Sequence, residues 1–125
     1  MSGAGYSLTE LNKPDWANLT DMDKKHTPII ESPDLIEANK PFEVTIKVGG
    51  IDGVEHPNML GHWITWLELY VGERYIGKIE FAPEVSNGYK ATMSVALKES
   101  GSLRARAFCN LHGLWEGKEK PVTVR

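Results

Sequence analysis

His62-Trp63-Ile64-Thr65-Trp66-Leu67-Glu68-Leu69-Tyr70-Val71 is the stretch that decides the fold. In an extended chain Trp63, Thr65, Leu67, Leu69 and Val71 point one way, and Ile64, Trp66, Glu68 and Tyr70 point the other. The run is rich in aromatic and β-branched residues, which suit a pleated, half-buried surface. It predicts a strand over 62–71. Gly72-Glu73-Arg74 then reads as a hairpin turn into a second strand over 75–81.

The same period of two recurs on both sides. Phe42, Val44, Ile46 and Val48 alternate with Glu43, Thr45 and Lys47 before Gly49-Gly50. Ser86-Asn87-Gly88 marks a turn ahead of a strand over 89–97. Glu99-Ser100-Gly101 turns into 102–108, where Leu103, Ala105 and Ala107 alternate with Arg104, Arg106 and Phe108, and 121–124 closes the chain. Short strands separated by turn signals predict an all-β protein, an antiparallel, immunoglobulin-like β-sandwich of about seven strands. The first forty residues, broken by Pro14, Pro28 and Pro33, read as an irregular N-terminal segment. Within it, Ser7-Leu8-Thr9-Glu10 could cap a short helix that Pro14 would limit.

The 125 residues suit a single domain, 1–125, and 41% hydrophobic residues suffice for a core. A net charge of -3 with no basic, aromatic-interleaved cluster speaks against nucleic acid. No apolar run reaches membrane-spanning length, and the stretch from Met1 to Trp16 has no secretory pattern. One cysteine cannot form an internal disulfide, so a cytoplasmic, reducing setting is expected.

The chain has four histidines and one cysteine, and each falls in a suggestive place: His26, His56, His62, Cys109 and His112. Imidazole and thiolate suit iron, copper or zinc. Cys109 and His112 directly follow a strand, where a turn can aim both at one point. Buried free cysteine is also common as a small hydrophobe, so this pair alone does not decide the matter. His56 and His62 bracket the loop entering the strongest strand. Pro57 restricts His56 to extended backbone, and Gly61 would permit a tight approach before His62. His26, ahead of Pro28, says little by itself.

Together, Lys25-His26-Thr27-Pro28, His56-Pro57-Asn58, Gly61-His62-Trp63-Ile64 and Cys109-Asn110-Leu111-His112-Gly113-Leu114-Trp115-Glu116 resemble, in that order, the iron site of the superoxide reductases, the neelaredoxin and one-iron desulfoferrodoxin family. The resemblance spans His26 to Trp115. It implies a mononuclear iron with His26, His56, His62 and His112 as equatorial ligands and Cys109 as the axial thiolate. It further implies a sixth position that is open in the ferrous state, where the trans thiolate pushes electron density. The implied activity is one-electron reduction of superoxide to hydrogen peroxide, with electrons from an external donor such as rubredoxin. Family members are often tetramers. The small cysteine-rich second iron domain of longer desulfoferrodoxins has no counterpart, since Cys109 is the lone cysteine.

The pattern breaks at one point. The family commonly has glutamate, lysine, histidine where this chain has Lys24-Lys25-His26. A protonated lysine cannot replace a carboxylate ligand to oxidised iron. Lys25 matches the family lysine, and beside the open position it would steer superoxide and supply a proton. Lys24 would add to the steering, although lysine pairs are usually just solvated. Trp63, Trp66, Phe108 and Trp115 read mainly as core, with Trp63 and Trp115 close enough to ligands to shield them. Two other functions compete: a blue-copper electron carrier and a metal-free binding module. Against the first, no methionine follows His112.

Overall fold

The computed structural model describes residues 5–86 and 89–125. Its elements run α1 (Asp21–His26), β1 (Pro28–Glu31), β2 (Leu35–Ile36), β3 (Phe42–Val48), β4 (Ile64–Val71), β5 (Arg74–Glu80), β6 (Lys90–Val95), β7 (Gly101–Cys109), β8 (Gly113–Glu116) and β9 (Lys120–Val124). Asn87 and Gly88 of the expected turn before β6 lie outside the described residues.

Two sheets form. The smaller has the order β1-β3-β6, and the larger runs β2-β9-β7-β4-β5 with β8 also paired to β7. Their inner faces meet in one core. The smaller sheet gives Val44, Ile46, Val48, Ala91 and Val95; the larger gives Ile64, Leu67, Leu69, Leu103, Ala105, Ala107 and Val122. Full burial of one such leucine, isoleucine or valine contributes about 1.5–3 kcal/mol. The alternation along 42–48 and 102–108 therefore reads correctly, and the β-sandwich stands.

The structure departs from the reading in four places. Three short strands, β1, β2 and β8, add to the expected set, because brief pairings along existing strands carry little pattern of their own. The pair β2 and β9 is parallel, so the larger sheet is mixed. The helix lies at Asp21–His26 and not near Ser7. There the Ser7 hydroxyl accepts from the Thr9 and Glu10 amides, closing a turn instead of opening a helix. Finally, the ladder between β4 and β7 slips: Ile64 pairs with Cys109 and Trp66 with Phe108, so Thr65 is an extra residue. The bulge puts Ile64 on the core side with Leu67, opposite to a strict alternation. Trp66 and Phe108 stack on the outer face at 5.6 Å and 13°, and are not core residues.

Candidate metal centre

Three segments converge at the end of the sandwich where β4 begins and β7 ends. The first is α1. Thr20 caps it, its hydroxyl accepting from the Asp23 amide while the Asp23 carboxylate accepts from the Thr20 amide. One and a half turns on, His26 is fully buried at the helix end. Its Nδ1 donates to the Met22 carbonyl at 2.7 Å, which leaves Nε2 free to face the centre. The indole of Trp115 lies along the His26 ring, with centroids 4.9 Å apart at 18°.

The second segment is the loop between β3 and β4. His56 Nδ1 donates to the Pro57 carbonyl at 2.6 Å and its Nε2 sits 3.4 Å from Cys109 Sγ. The tight approach here is made by Gly49, not Gly61. A β-carbon on Gly49, whose φ is +87°, would lie 2.9 Å from the His56 amide nitrogen, whereas one on Gly61 would meet nothing within 4 Å. The third segment is the turn between β7 and β8. Asn110 ties it to the second: its Oδ1 accepts from the Trp63 amide, and its Nδ2 donates to the Gly61 carbonyl. His112 Nδ1 is 3.2 Å from His62 Nε2 and 3.7 Å from Cys109 Sγ.

The four imidazoles form a square. Neighbouring centroids are 4.7 Å (His26–His56), 4.7 Å (His56–His62), 4.8 Å (His62–His112) and 5.0 Å (His112–His26) apart, each pair near edge-to-face. The diagonal His26–His62 is 6.4 Å. Donor atoms of His26, His56, His62 and Cys109 all lie within 4.8 Å of one another. His26 and His56 form the buried side; His62 and His112 form the half-exposed edge.

The electrostatics suit a cation. Burial, then the neighbouring charged groups, pushes His26 down to about 4 and His56 to about 3, so both rings are neutral near pH 7. Burial lowers His62 and His112 as well, and the Lys25 ammonium adds to this at both. Burial pushes the Cys109 thiol up, partly offset by the Leu111 and His112 amides donating to its sulfur. His26 Nε2 is buried with no hydrogen-bond partner. An orphaned imidazole nitrogen among three more imidazoles and a thiol is costly for the protein alone and favourable around a metal. The donor set therefore fits a bound metal.

The two lysines differ. Lys24 pairs with Asp52 at 3.3 Å, tying α1 to the turn after β3. Lys25 joins no ion pair among the described residues and acts on His26, His62 and His112. Asp23 is held at the helix start by the Thr20 amide, so neither residue ahead of Lys25 presents a carboxylate to the centre. Trp63 donates to the Phe81 carbonyl and packs on the core, leaving Trp115 as the indole on a histidine.

Sequence reading missed several supports. Tyr6 meets His112 edge-on at 5.2 Å. Asn12 holds that segment down: its Oδ1 accepts from the Ser7 amide, and its Nδ2 donates to the Ser7 and Leu114 carbonyls. Nothing in the chain's pattern marks either residue. The helix was findable, because Thr20-Asp21-Met22-Asp23 is a capping signal.

A β-sandwich that gathers four imidazoles and one thiol at one end defines a mononuclear histidine–cysteine metal protein. Residues 18–118 match the family described as desulfoferrodoxin. The chain is 41% identical over 99 residues to a protein of Methanocaldococcus jannaschii, covering 78% of this chain and 82% of that one. It is 33% identical over 112 residues to the superoxide reductase of Pyrococcus furiosus, covering 76% and 86%. Among solved structures, the superoxide reductase (neelaredoxin) from Ignicoccus hospitalis superposes with a TM-score of 0.79 at 37% identity, covering 92% of this chain and 95% of that one. This chain belongs to the desulfoferrodoxin family. The metal is iron, the metal of this family, and the histidine–cysteine donor set is consistent with it; the blue-copper reading falls, since four imidazoles exceed the two histidines of such sites.

Proposed function

We propose that this chain reduces superoxide to hydrogen peroxide at an iron held by His26, His56, His62, His112 and Cys109. The class of enzyme, an oxidoreductase acting on superoxide, follows from family membership and the superoxide reductases it matches. The observation that carries the ligand set is the imidazole square with Cys109 Sγ 3.4 Å from His56 Nε2 and 3.7 Å from His112 Nδ1. Bound ferrous iron supplies the one electron that, with two protons, converts superoxide to hydrogen peroxide.

The chain's own residues do the rest. The Met22 and Pro57 carbonyls fix His26 and His56 in the tautomer that presents Nε2. Lys25, which has no ion pair among the described residues and acts on the half-exposed His62–His112 edge, draws the anion in and holds a proton for the product. Trp115 keeps water from His26. Among the described residues just ahead of His26, Asp23 is held by the Thr20 amide and Lys24 by Asp52, so this segment would offer the oxidised iron no carboxylate in place of the family glutamate.

Electrons come from a small external donor of the rubredoxin kind. The same edge supports this reading, since Met59, Leu60 and Leu111 are exposed apolar side chains on the loops that carry His62 and His112. Residues 1–125 make up one iron domain. Among the described residues no helix is long and apolar enough to cross a membrane, and a lone free cysteine suits the cytoplasm. Assembly is homo-oligomeric, a tetramer, which the half-buried outer-face pair Trp66 and Phe108 would favour.

Cys109→Ser tests the assignment. The iron-loaded parent should show a thiolate-to-ferric absorption band on oxidation. The variant should lose that band and nearly all superoxide-reducing activity. A variant that keeps the band would remove Cys109 from the ligand set.

A further inference from the structure

Tyr89 is buried to 1% exposure, although it carries a hydroxyl. Its φ is +55°, a region that bulky residues rarely adopt. The Val48 amide holds it there by donating to its carbonyl at 3.1 Å. So placed, the ring meets His56 edge-on at 5.5 Å and 82°. The hydroxyl has two acceptors at equal distance: the Pro57 carbonyl at 2.9 Å and Asn58 Oδ1 at 2.9 Å. The Pro57 carbonyl is the same one that His56 Nδ1 donates to at 2.6 Å. The Asn58 amide cannot turn over freely, because its Oδ1 also accepts from the Glu84 amide and its Nδ2 donates to the Ser86 carbonyl. Burial keeps the phenol neutral, so it brings one proton to two acceptors.

We propose that Tyr89 is a positioning residue for His56: its shared proton limits how strongly the Pro57 carbonyl draws on His56 Nδ1–H, and so sets the electron donation of His56 to the iron. The proposal rests on the reading of His56 as a ligand. A carbonyl that accepts two hydrogen bonds has less electron density for each. The partner of a ligand histidine's outer N–H controls the basicity of the ring. A stronger His56-to-Pro57 bond makes the imidazole a better donor and favours ferric iron.

Two variants then push in opposite directions. Tyr89→Phe removes the competing proton and strengthens the His56 bond. Asn58→Ala removes the alternative acceptor, sends the Tyr89 proton wholly to Pro57 and weakens the His56 bond. A purely structural role would move both the same way, since both loosen the same loop.

The test is a redox titration of the iron-loaded parent and both variants, with proton–nitrogen NMR of the His56 ring in their zinc-loaded forms. The midpoint potential should fall in Tyr89→Phe, with the His56 Nδ1 proton moving downfield. It should rise in Asn58→Ala, with that proton moving upfield. Shifts in one common direction, or none, would overturn the proposal. If Tyr89→Phe fails to fold, Asn58→Ala decides alone, and a midpoint at or below the parent's overturns the proposal. His56 ring signals that ignore zinc would instead show that His56 is no ligand, and the proposal would fall with that assignment.

Discussion

A β-carbon on Gly117 would lie 2.0 Å from the carbonyl oxygen of Pro28. The chain leaving β8 thus runs hard against the start of β1, two residues beyond His26. Gly117→Ala must push Pro28 away, and His26 with it. We expect iron retention about tenfold weaker, in line with losses at supports of metal ligands. Competition with a chelator would measure it. Unchanged retention would mean that the backbone gives way without moving His26.

Trp115 contributes to the centre twice, through its stack on His26 and through Nε1, which donates to the His112 carbonyl at 3.0 Å. Trp115→Phe keeps an aromatic ring and removes the donor. The variant should be about 1 kcal/mol less stable and should release iron to a chelator roughly tenfold faster. Identical release rates would show that the indole is packing alone.

Lys25 and Lys24 should separate by salt dependence. Lys25→Ala should lower the second-order rate with superoxide about tenfold at low ionic strength. The deficit should shrink as salt is added, because screening acts over about 10 Å at 0.1 M. Lys24→Ala should do little to the rate, since Asp52 already counters that charge, and a pair of this kind is worth about 1 kcal/mol or less. Pulse-radiolysis rates across a salt series would decide, and equal deficits for the two variants would refute the distinction.

Glu116 sets an acid limit. Its side chain is 4% exposed and accepts from Arg106 Nε at 2.9 Å and Arg104 Nη2 at 3.1 Å, with Lys13 at 3.4 Å. Burial alone would raise its carboxyl, but the two arginine hydrogen bonds and the surrounding positive charge hold it below its usual value. A carboxyl lowered in the folded state adds stability above its unfolded value, and that stability is lost as pH falls through the folded value. Glu116→Gln should therefore cost about 1.5–3 kcal/mol at pH 7. The gap to the parent should narrow below pH 4. Denaturant titrations of the metal-free proteins at both pH values would check this, and a gap independent of pH would refute the ionic account.

Much of this was legible in the residues. The cluster of His26, His56, His62, Cys109 and His112 was, because these five exhaust the chain's histidine and cysteine. The strands of the core were, because Val44, Ile46 and Val48, or Leu103, Ala105 and Ala107, repeat at the period of a pleat. The bulge at Thr65 was not, since an inserted residue leaves composition unchanged and only the ladder with β7 reveals it. Helix α1 lacks an apolar stripe; its sole sign is the Thr20–Asp23 cap. The partner of Lys24 lies in a distant turn, and the crowding at Gly49 and Gly117 depends on which backbones meet in space.

The candidate donors also sit far apart along the chain: His26 on α1, His56 and His62 in the loop before β4, Cys109 at the end of β7 and His112 in the turn to β8. A single ion therefore fastens distant stretches whose meeting otherwise costs loop-closure entropy. Metal binding and folding are then linked, and bound ferrous ion adds its binding free energy to the stability of the native chain. A molecule that has lost its iron would thus open more readily than a loaded one, so occupancy would be read in resistance to unfolding as well as in activity.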